Sequence, residues 1–195
     1  MIRLHRLPCP EWLLVNGPRW ATAYANARAN GDRSPFRWRE LGGQPVNQLI
    51  YPILREMTAR HCAYCDHFEL GAMSRETIDH FKPKSQYPSL AYAWENLFPA
   101  CDACQAARRE QYRTTLLRPD ATDYDFHRFF VVNYATGQMV PNPAANERDR
   151  RRAKTTIDLF GLNRPALVSS RYLALRWFPA DSVVPIGERP FRFMW

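Results

Sequence analysis

Long apolar runs and internal repeats are both missing from this sequence of 195 residues. No window reaches the roughly 18 apolar residues that a membrane-spanning helix needs, and residues 1–6 show neither a long apolar stretch nor a small-residue cleavage site. Glycine is scarce, with 8 residues against 16 prolines, which predicts stiff loops between short elements. We therefore expect a cytoplasmic globular protein without a membrane segment.

Acidic residues are the minority among the charged ones. The chain has 19 Asp and Glu against 27 Lys and Arg, for a formal net charge of +8. A basic excess favours polyanionic partners, because bound phosphates release condensed counterions. An ordinary soluble basic protein can carry the same excess, so the charge alone assigns no function.

The spacing of the cysteines indicates a metal site. Of the five cysteines, Cys62 and Cys65 form one Cys-x-x-Cys pair, Cys101 and Cys104 form a second, and Cys9 is left over. Each two-residue spacer bends the backbone into a knuckle, and two knuckles complete a tetrahedral sulfur site that suits Zn²⁺. Such a closed site is structural, so we predict a structural zinc. The alternatives are two chance pairs or a redox motif, which the second matching pair disfavours.

Between the knuckles, Asp79 and His80 follow a short β-prone stretch. Phosphodiester hydrolysis needs an activated water and a charge-neutralising cation; a carboxylate can hold a hard divalent ion, and a neutral imidazole can take a proton from water. Side chains alternate along a strand, so the two residues face opposite ways unless the chain bends. Taken alone, this dipeptide is more typical of an ordinary strand end.

Two amide side chains come later in the same region. Asn96 could hydrogen-bond the backbone and hold the intervening loop closed, although a lone Asn is more often a turn or helix-cap residue. Gln105 stands directly after the second knuckle and could direct its carbonyl oxygen at the same metal as Asp79.

The order Cys-x-x-Cys, Asp-His, Glu-Asn-Leu, Cys-x-x-Cys resembles the HNH, or ββα-metal, endonuclease family over about residues 60–112. The resemblance implies an α+β fold with a ββα-metal centre on a four-cysteine zinc site, wrapped by N- and C-terminal helices. It implies that His80 is the general base, that Asp79 binds the catalytic metal and that Asn96 orients the base. Gln105 takes the third signature position, where the family has His or Asn.

Two departures from the family pattern accompany this resemblance. Gln105 is one methylene longer than Asn, which displaces the ligand oxygen, and Arg108 or Arg109 replaces the usual Lys. Basic side chains near the proposed centre could contact phosphates without reading sequence, although a solvated basic face is equally consistent with the pattern. These nucleic-acid-binding candidates are Lys82, Lys84, Arg108 and Arg109.

Further matching segments make the resemblance more specific, to one group within this family. Residues 78–85 and 87–97, together with residues 152–157, 161–163 and Arg171, look like the HNH subunit of Septu-type and retron-associated anti-phage systems. In those systems the nuclease works with an ABC/SMC-class ATPase. The resemblance implies a metal-dependent endonuclease, with DNA the expected substrate, that uses structural Zn²⁺ and catalytic Mg²⁺ or Mn²⁺. The alternatives are a catalytically decayed zinc module that binds DNA or a protein partner, and a zinc-stabilised scaffold.

The remaining pattern suggests four regions. They are an N-terminal extension at 1–45, the nuclease core at 46–120, a C-terminal hairpin and helices at 121–178, and a Pro- and aromatic-rich tail at 179–195. Helices are predicted at about 19–28, 46–60, 144–160 and 166–178, and a hairpin at 125–141. The aromatic tail is expected either to anchor the ATPase or to fold back over its own domain.

Overall fold

The computed structural model describes residues 1–72, 75–178 and 183–195. Six α-helices and six short strands form its framework, and four 3₁₀ turns connect them. The helices are α1 Glu11–Ala29, α2 Val46–Met57, α3 Asp102–Arg108, α4 Phe126–Phe129, α5 Glu147–Leu159 and α6 Pro165–Trp177. The strands are β1 Glu40–Leu41, β2 Gln44–Pro45, β3 Glu76–His80, β4 Leu97–Cys101, β5 Phe130–Asn133 and β6 Gln138–Pro141. Within the described ranges, none of the helices is long and apolar enough to cross a membrane.

The centre of the fold is a ββα unit formed by β3, β4 and α3. β3 and β4 pair antiparallel, with Asp79 opposite Phe98 and His80 opposite Leu97. β4 is buried along its whole length, as a continuous apolar strand should be. Pro99 does not disrupt the pair, and its carbonyl accepts a hydrogen bond from the amide of Ala63 at 2.9 Å. β4 then runs directly into α3, so the second knuckle spans a strand end and a helix start.

The ββα unit lies between two apolar clusters. Leu97 and Ile78 pack with residues of α1 and α2, whereas Phe98 and Ala100 pack with the zinc knuckles, the β5–β6 hairpin and residues of α5 and α6. Residues that alternate along β4 therefore face different clusters, and the strand pair is fixed from both sides. This position holds the end of β3, where Asp79 and His80 lie, between two packed layers.

The predicted helices and hairpin have counterparts in the structure. The helix expected at 46–60 is α2, which ends at Met57 and continues through Pro52. Pro52 is on the exposed side of α2, where the loss of one amide donor leaves a carbonyl that water can reach. The hairpin expected at 125–141 is β5 and β6, preceded by the one-turn helix α4. Residues 1–45 also pack onto the core through α1, and the proposed boundary at residue 45 stays a prediction.

The tail folds back over its own domain. Residues 179–182 are outside the described residues, and within 183–195 the side chains of Phe191, Phe193 and Met194 are buried. Phe193 stacks on Phe126 with ring centroids 4.3 Å apart, and Arg192 forms an ion pair with Asp66. Of the two possibilities left open by the sequence, the structure therefore shows folding back for Phe191 and Phe193, which complete the core of this chain; an ATPase contact by the tail stays a prediction.

Candidate active site and zinc site

The four paired cysteines meet in one buried cluster. The Sγ atoms of Cys62, Cys65, Cys101 and Cys104 all lie within 4.8 Å of one another. A tetrahedral zinc with bonds of about 2.3 Å places neighbouring sulfurs about 3.8 Å apart, and the Cys65 and Cys101 sulfurs are 3.8 Å apart. The cluster therefore has the donor type, the number and the spacing that suit a structural zinc ion.

A partly buried arginine lies beside these sulfurs. The guanidinium of Arg164, from the loop before α6, lies 3.6 Å from the Cys104 sulfur and 3.9 Å from the Cys101 sulfur. Four thiolates around one Zn²⁺ leave two negative charges, and a nearby guanidinium offsets one of them. Arg164 thereby joins the C-terminal helices to the zinc site.

His80 is fixed at the end of β3. Its Nε2 lies 2.9 Å from the carbonyl oxygen of Ala91, and because a carbonyl only accepts, Nε2 carries the proton and Nδ1 keeps a lone pair. Trp38 stacks on the imidazole with centroids 5.5 Å apart and an interplanar angle of 18°, and Phe36 meets it edge-on at 5.6 Å. Burial, with a contribution from Lys84, lowers the pKa of His80 to about 4, so the ring is neutral at neutral pH.

Asp79 faces the other side of β3, as strand alternation predicts. Its Oδ2 accepts a hydrogen bond of 2.6 Å from the Tyr64 hydroxyl, and its Oδ1 accepts one of 2.9 Å from Arg108. Arg108 also donates to the carbonyl oxygens of His80 and Phe81, at 2.5 and 2.7 Å. Burial raises the pKa of the Asp79 carboxyl, and the charge of Arg108 opposes that rise.

Arg108, predicted to bind nucleic acid, is buried, and that role stays a prediction. Its side chain is only 2% exposed, and it spans from α3 to the end of β3. Its guanidinium donates to Asp79 and to two backbone carbonyls. These contacts fix the direction in which the chain leaves β3.

Asn96 closes the loop between β3 and β4. Its Oδ1 accepts from the amide of Lys82 at 2.7 Å, and its Nδ2 donates to the carbonyl oxygens of Lys82 and Leu90 at 3.0 and 3.1 Å. These are backbone contacts of the kind suggested by the sequence. Since the same loop carries Ala91, Asn96 also supports the carbonyl that holds His80; its part in catalysis stays a prediction.

Asp79, His80 and Gln105 line one cavity of about 270 Å³. Gln105 donates from Nε2 to the carbonyl oxygen of Ile78 at 3.4 Å, and its Oε1 finds no donor among the described residues. Lys84, Arg108 and Arg109 also line this cavity. Lys84 is paired with Glu110 at 3.3 Å, and Arg109 is exposed at the end of α3.

Lys82 is the remaining basic candidate, and it points elsewhere. Its ammonium lies 5.4 Å from the centroid of the Tyr87 ring, and Lys82 is not among the residues that line the cavity with Asp79. Of the four predicted phosphate-binding residues, Lys84, Arg108 and Arg109 therefore line the cavity of the candidate centre, and the role of all four stays a prediction.

Comparison with known proteins fits this geometry. Residues 62–109, which include both knuckles, β3, β4 and α3, match the family model described as HNH endonuclease. This segment is an HNH domain. The chain is also 25% identical over 136 residues to a protein of Vibrio cholerae serotype O1 biovar El Tor named "Retron Vc95 putative HNH endonuclease". The match covers 66% of this chain and 64% of that relative, so the chain spans less than two thirds of its length.

A hard divalent cation fits the donor chemistry of this HNH domain. Asp79 offers carboxylate oxygens and Gln105 offers an amide oxygen, which are ligand types that Mg²⁺ and Mn²⁺ accept. Each Asp79 oxygen accepts one hydrogen bond and keeps a second lone pair. The adjacent Arg108 offsets the charge of Asp79, so water and phosphate oxygens would have to supply the rest of the coordination shell.

Three side chains that contact the HNH domain or its zinc site were not predicted from the sequence. Tyr64 lies inside the first knuckle and bonds Asp79, but nothing in the pattern indicates which way a residue between two cysteines points. Arg164 is about sixty positions from the cysteines that it contacts. Trp38 could have been predicted as a functional residue, because aromatic and basic residues alternate around it in the sequence Phe-Arg-Trp-Arg.

Proposed function

We propose that this protein is a metal-dependent HNH endonuclease that hydrolyses phosphodiester bonds in nucleic acid, with DNA as the expected substrate. The observation that supports this most directly is the shared cavity, where Asp79, His80 and Gln105 converge at the end of β3. The matched HNH family model covers the same residues.

In this proposal His80 is the general base. Its Nε2–H is held by the carbonyl of Ala91, so the lone pair on Nδ1 is available to take a proton from the attacking water. Asp79 and Gln105 would hold the Mg²⁺ or Mn²⁺ ion, which when bound neutralises charge on the phosphate. Lys84 and Arg109, at the same cavity, would contact the flanking phosphates and position the strand.

We also propose a role in a cytoplasmic anti-phage defence complex with an ABC/SMC-class ATPase. The similarity to a protein named for a retron supports this context. Co-expression with candidate ATPases, followed by co-purification, tests it directly.

Replacement of His80 by Ala tests the catalytic proposal. Loss of a general base should slow cleavage of plasmid DNA and of single-stranded DNA by roughly 10²- to 10⁴-fold, measured with Mg²⁺ and with Mn²⁺, in the presence and absence of the ATPase. His127→Ala is the matched control, because His127 is exposed and distant from this centre in the sequence. Zinc content and melting temperature should be unchanged in both variants. Equal cleavage by His80→Ala and wild type would mean that the base is misassigned.

A decayed centre is the second candidate function, favoured by the Gln at position 105 and by the pairing of Asp79 with Arg108. Gln105→Asn and Gln105→His separate the two candidates. If Gln105 is a working ligand, both variants should retain or raise activity and Gln105→Ala should lower it. If the centre has decayed, wild type should be inert with every metal and partner, and Gln105→His could restore cutting.

A further inference from the structure

A second, larger cavity adjoins the candidate centre and has aromatic walls. Its volume is about 840 Å³, and His80, Gln105 and Lys84 line it as well as the smaller cavity. Phe36 and Trp38 contribute ring surface to it. We call this cavity the aromatic groove. Any strand that reaches the imidazole from this side must pass these rings.

The segment before β1 alternates aromatic and basic side chains. Phe36 and Trp38 are half-buried, whereas Arg37 and Arg39 are exposed. Unlike Lys84, which pairs with Glu110, the Arg37 and Arg39 guanidinium groups form no ion pair with any residue in the described ranges. One short segment therefore presents ring surface to the groove and unpaired positive charge to solvent beside it.

This combination matches the chemistry of an unpaired nucleotide. Base faces are buried by stacking inside a duplex, so a duplex would offer phosphates to the arginines but no base face to Trp38. A single strand offers both a π-face and a phosphate at each nucleotide, and stacking on aromatic side chains tolerates every base.

We infer that the aromatic groove binds an unpaired nucleotide of a single-stranded nucleic acid, with its base against Trp38 and its phosphates at Arg37 and Arg39. The inference rests on the proposed function, since it names the substrate class of the same site. It makes Trp38 and the two arginines substrate-binding residues that lie outside the HNH-matched segment.

Equilibrium binding without added divalent metal tests this separately from catalysis. Fluorescence anisotropy would compare labelled single-stranded DNA, single-stranded RNA of the same sequence, and the corresponding DNA duplex. At least one single strand should bind more tightly than the duplex, by about tenfold, and the better of the two identifies the sugar of the substrate. Duplex binding that equals or exceeds both single strands would overturn the inference.

Variants then locate the binding. Trp38→Leu should weaken single-strand binding by roughly 5- to 100-fold, Trp38→Phe should retain most of it, and the weak duplex binding should not change. Wild-type affinity in Trp38→Leu would rule out stacking in the groove. Zinc content and melting temperature report whether each variant is folded.

A charge-reversal variant keeps the inference testable if Trp38→Leu fails to fold. Arg37→Glu combined with Arg39→Glu changes only exposed side chains and should weaken single-strand binding at least about tenfold. The matched control is Arg148→Glu with Arg151→Glu, on exposed positions of α5. An equal loss in both double variants would mean nonspecific attraction and would contradict the inference. Groove-dependent binding without cleavage under any metal would leave the inference standing and count against the proposed nuclease activity.

Discussion

At the residue scale, Arg108 shows that a basic residue of the motif can be buried. Basic residues after the second knuckle suggested phosphate contacts, but Cys104 and Arg108 are four positions apart on α3 and so share one helix face. Cys104 must point inward to reach the zinc cluster, and Arg108 follows it into the core. The spacing that predicts zinc therefore also indicates that Arg108 is buried. Its partner Asp79, and the Tyr64 hydroxyl that bonds the same carboxylate, could not be inferred without the tertiary structure.

The buried Arg108–Asp79 pair makes a testable claim about stability. Arg108→Met should destabilise the protein by about 3–5 kcal/mol, because it leaves the Asp79 carboxylate buried without its charged partner. Arg109→Met is the matched control, since Arg109 is the next residue and is exposed; it should change stability by less than about 0.5 kcal/mol. Urea unfolding followed by circular dichroism measures both. Equal destabilisation in the two variants would show that the pair contributes little.

At the element scale, local sequence patterns predicted the helices and strands better than they predicted which of them pack together. The hairpin of β5 and β6 was predictable from a β-prone run and a Gly turn, and α5 and α6 from apolar periodicity and the Gly and Pro between them. The packing of the segment around Trp38 against His80 was not, because that segment is irregular and its contact joins residues far apart in the chain. Only the cysteines carried long-range information, since two knuckles that share one ion must meet.

The stability of the ββα unit is expected to depend on the zinc site. Cys104→Ser should abolish stoichiometric zinc binding and unfold this region, because three thiolates cannot complete the tetrahedral shell and metal binding supplies folding free energy. Cys9→Ser is the control, because Cys9 lies outside the cluster. Elemental analysis of the purified proteins and circular dichroism measure the two effects. A folded Cys104→Ser protein with one zinc per chain would refute the four-cysteine assignment.

At the scale of the whole molecule, residues distant in sequence close the structure around the HNH domain. Two tail residues make such contacts. Arg192 pairs with Asp66 beside the first knuckle, and the carbonyl oxygen of Arg189 lies 2.9 Å from Nε2 of His61. The sequence left two possibilities open for the tail, because aromatic residues serve a core and an interface equally well. The first zinc knuckle thus depends on the last residues of the chain for part of its packing.

This arrangement predicts that the tail contributes to stability by itself, without any partner. Phe193 is 5% exposed and stacks on Phe126, so Phe193→Ala should cost about 3–5 kcal/mol by removing a packed ring. Ile186→Ala, at a position in the same tail that is 52% exposed, should cost less than about 1 kcal/mol because little buried surface is lost. Thermal and urea unfolding of the isolated protein compare the two. If Phe193→Ala unfolds with the wild-type midpoint and loses only ATPase co-purification, the tail is a docking segment and its packing in this fold is not what stabilises the domain.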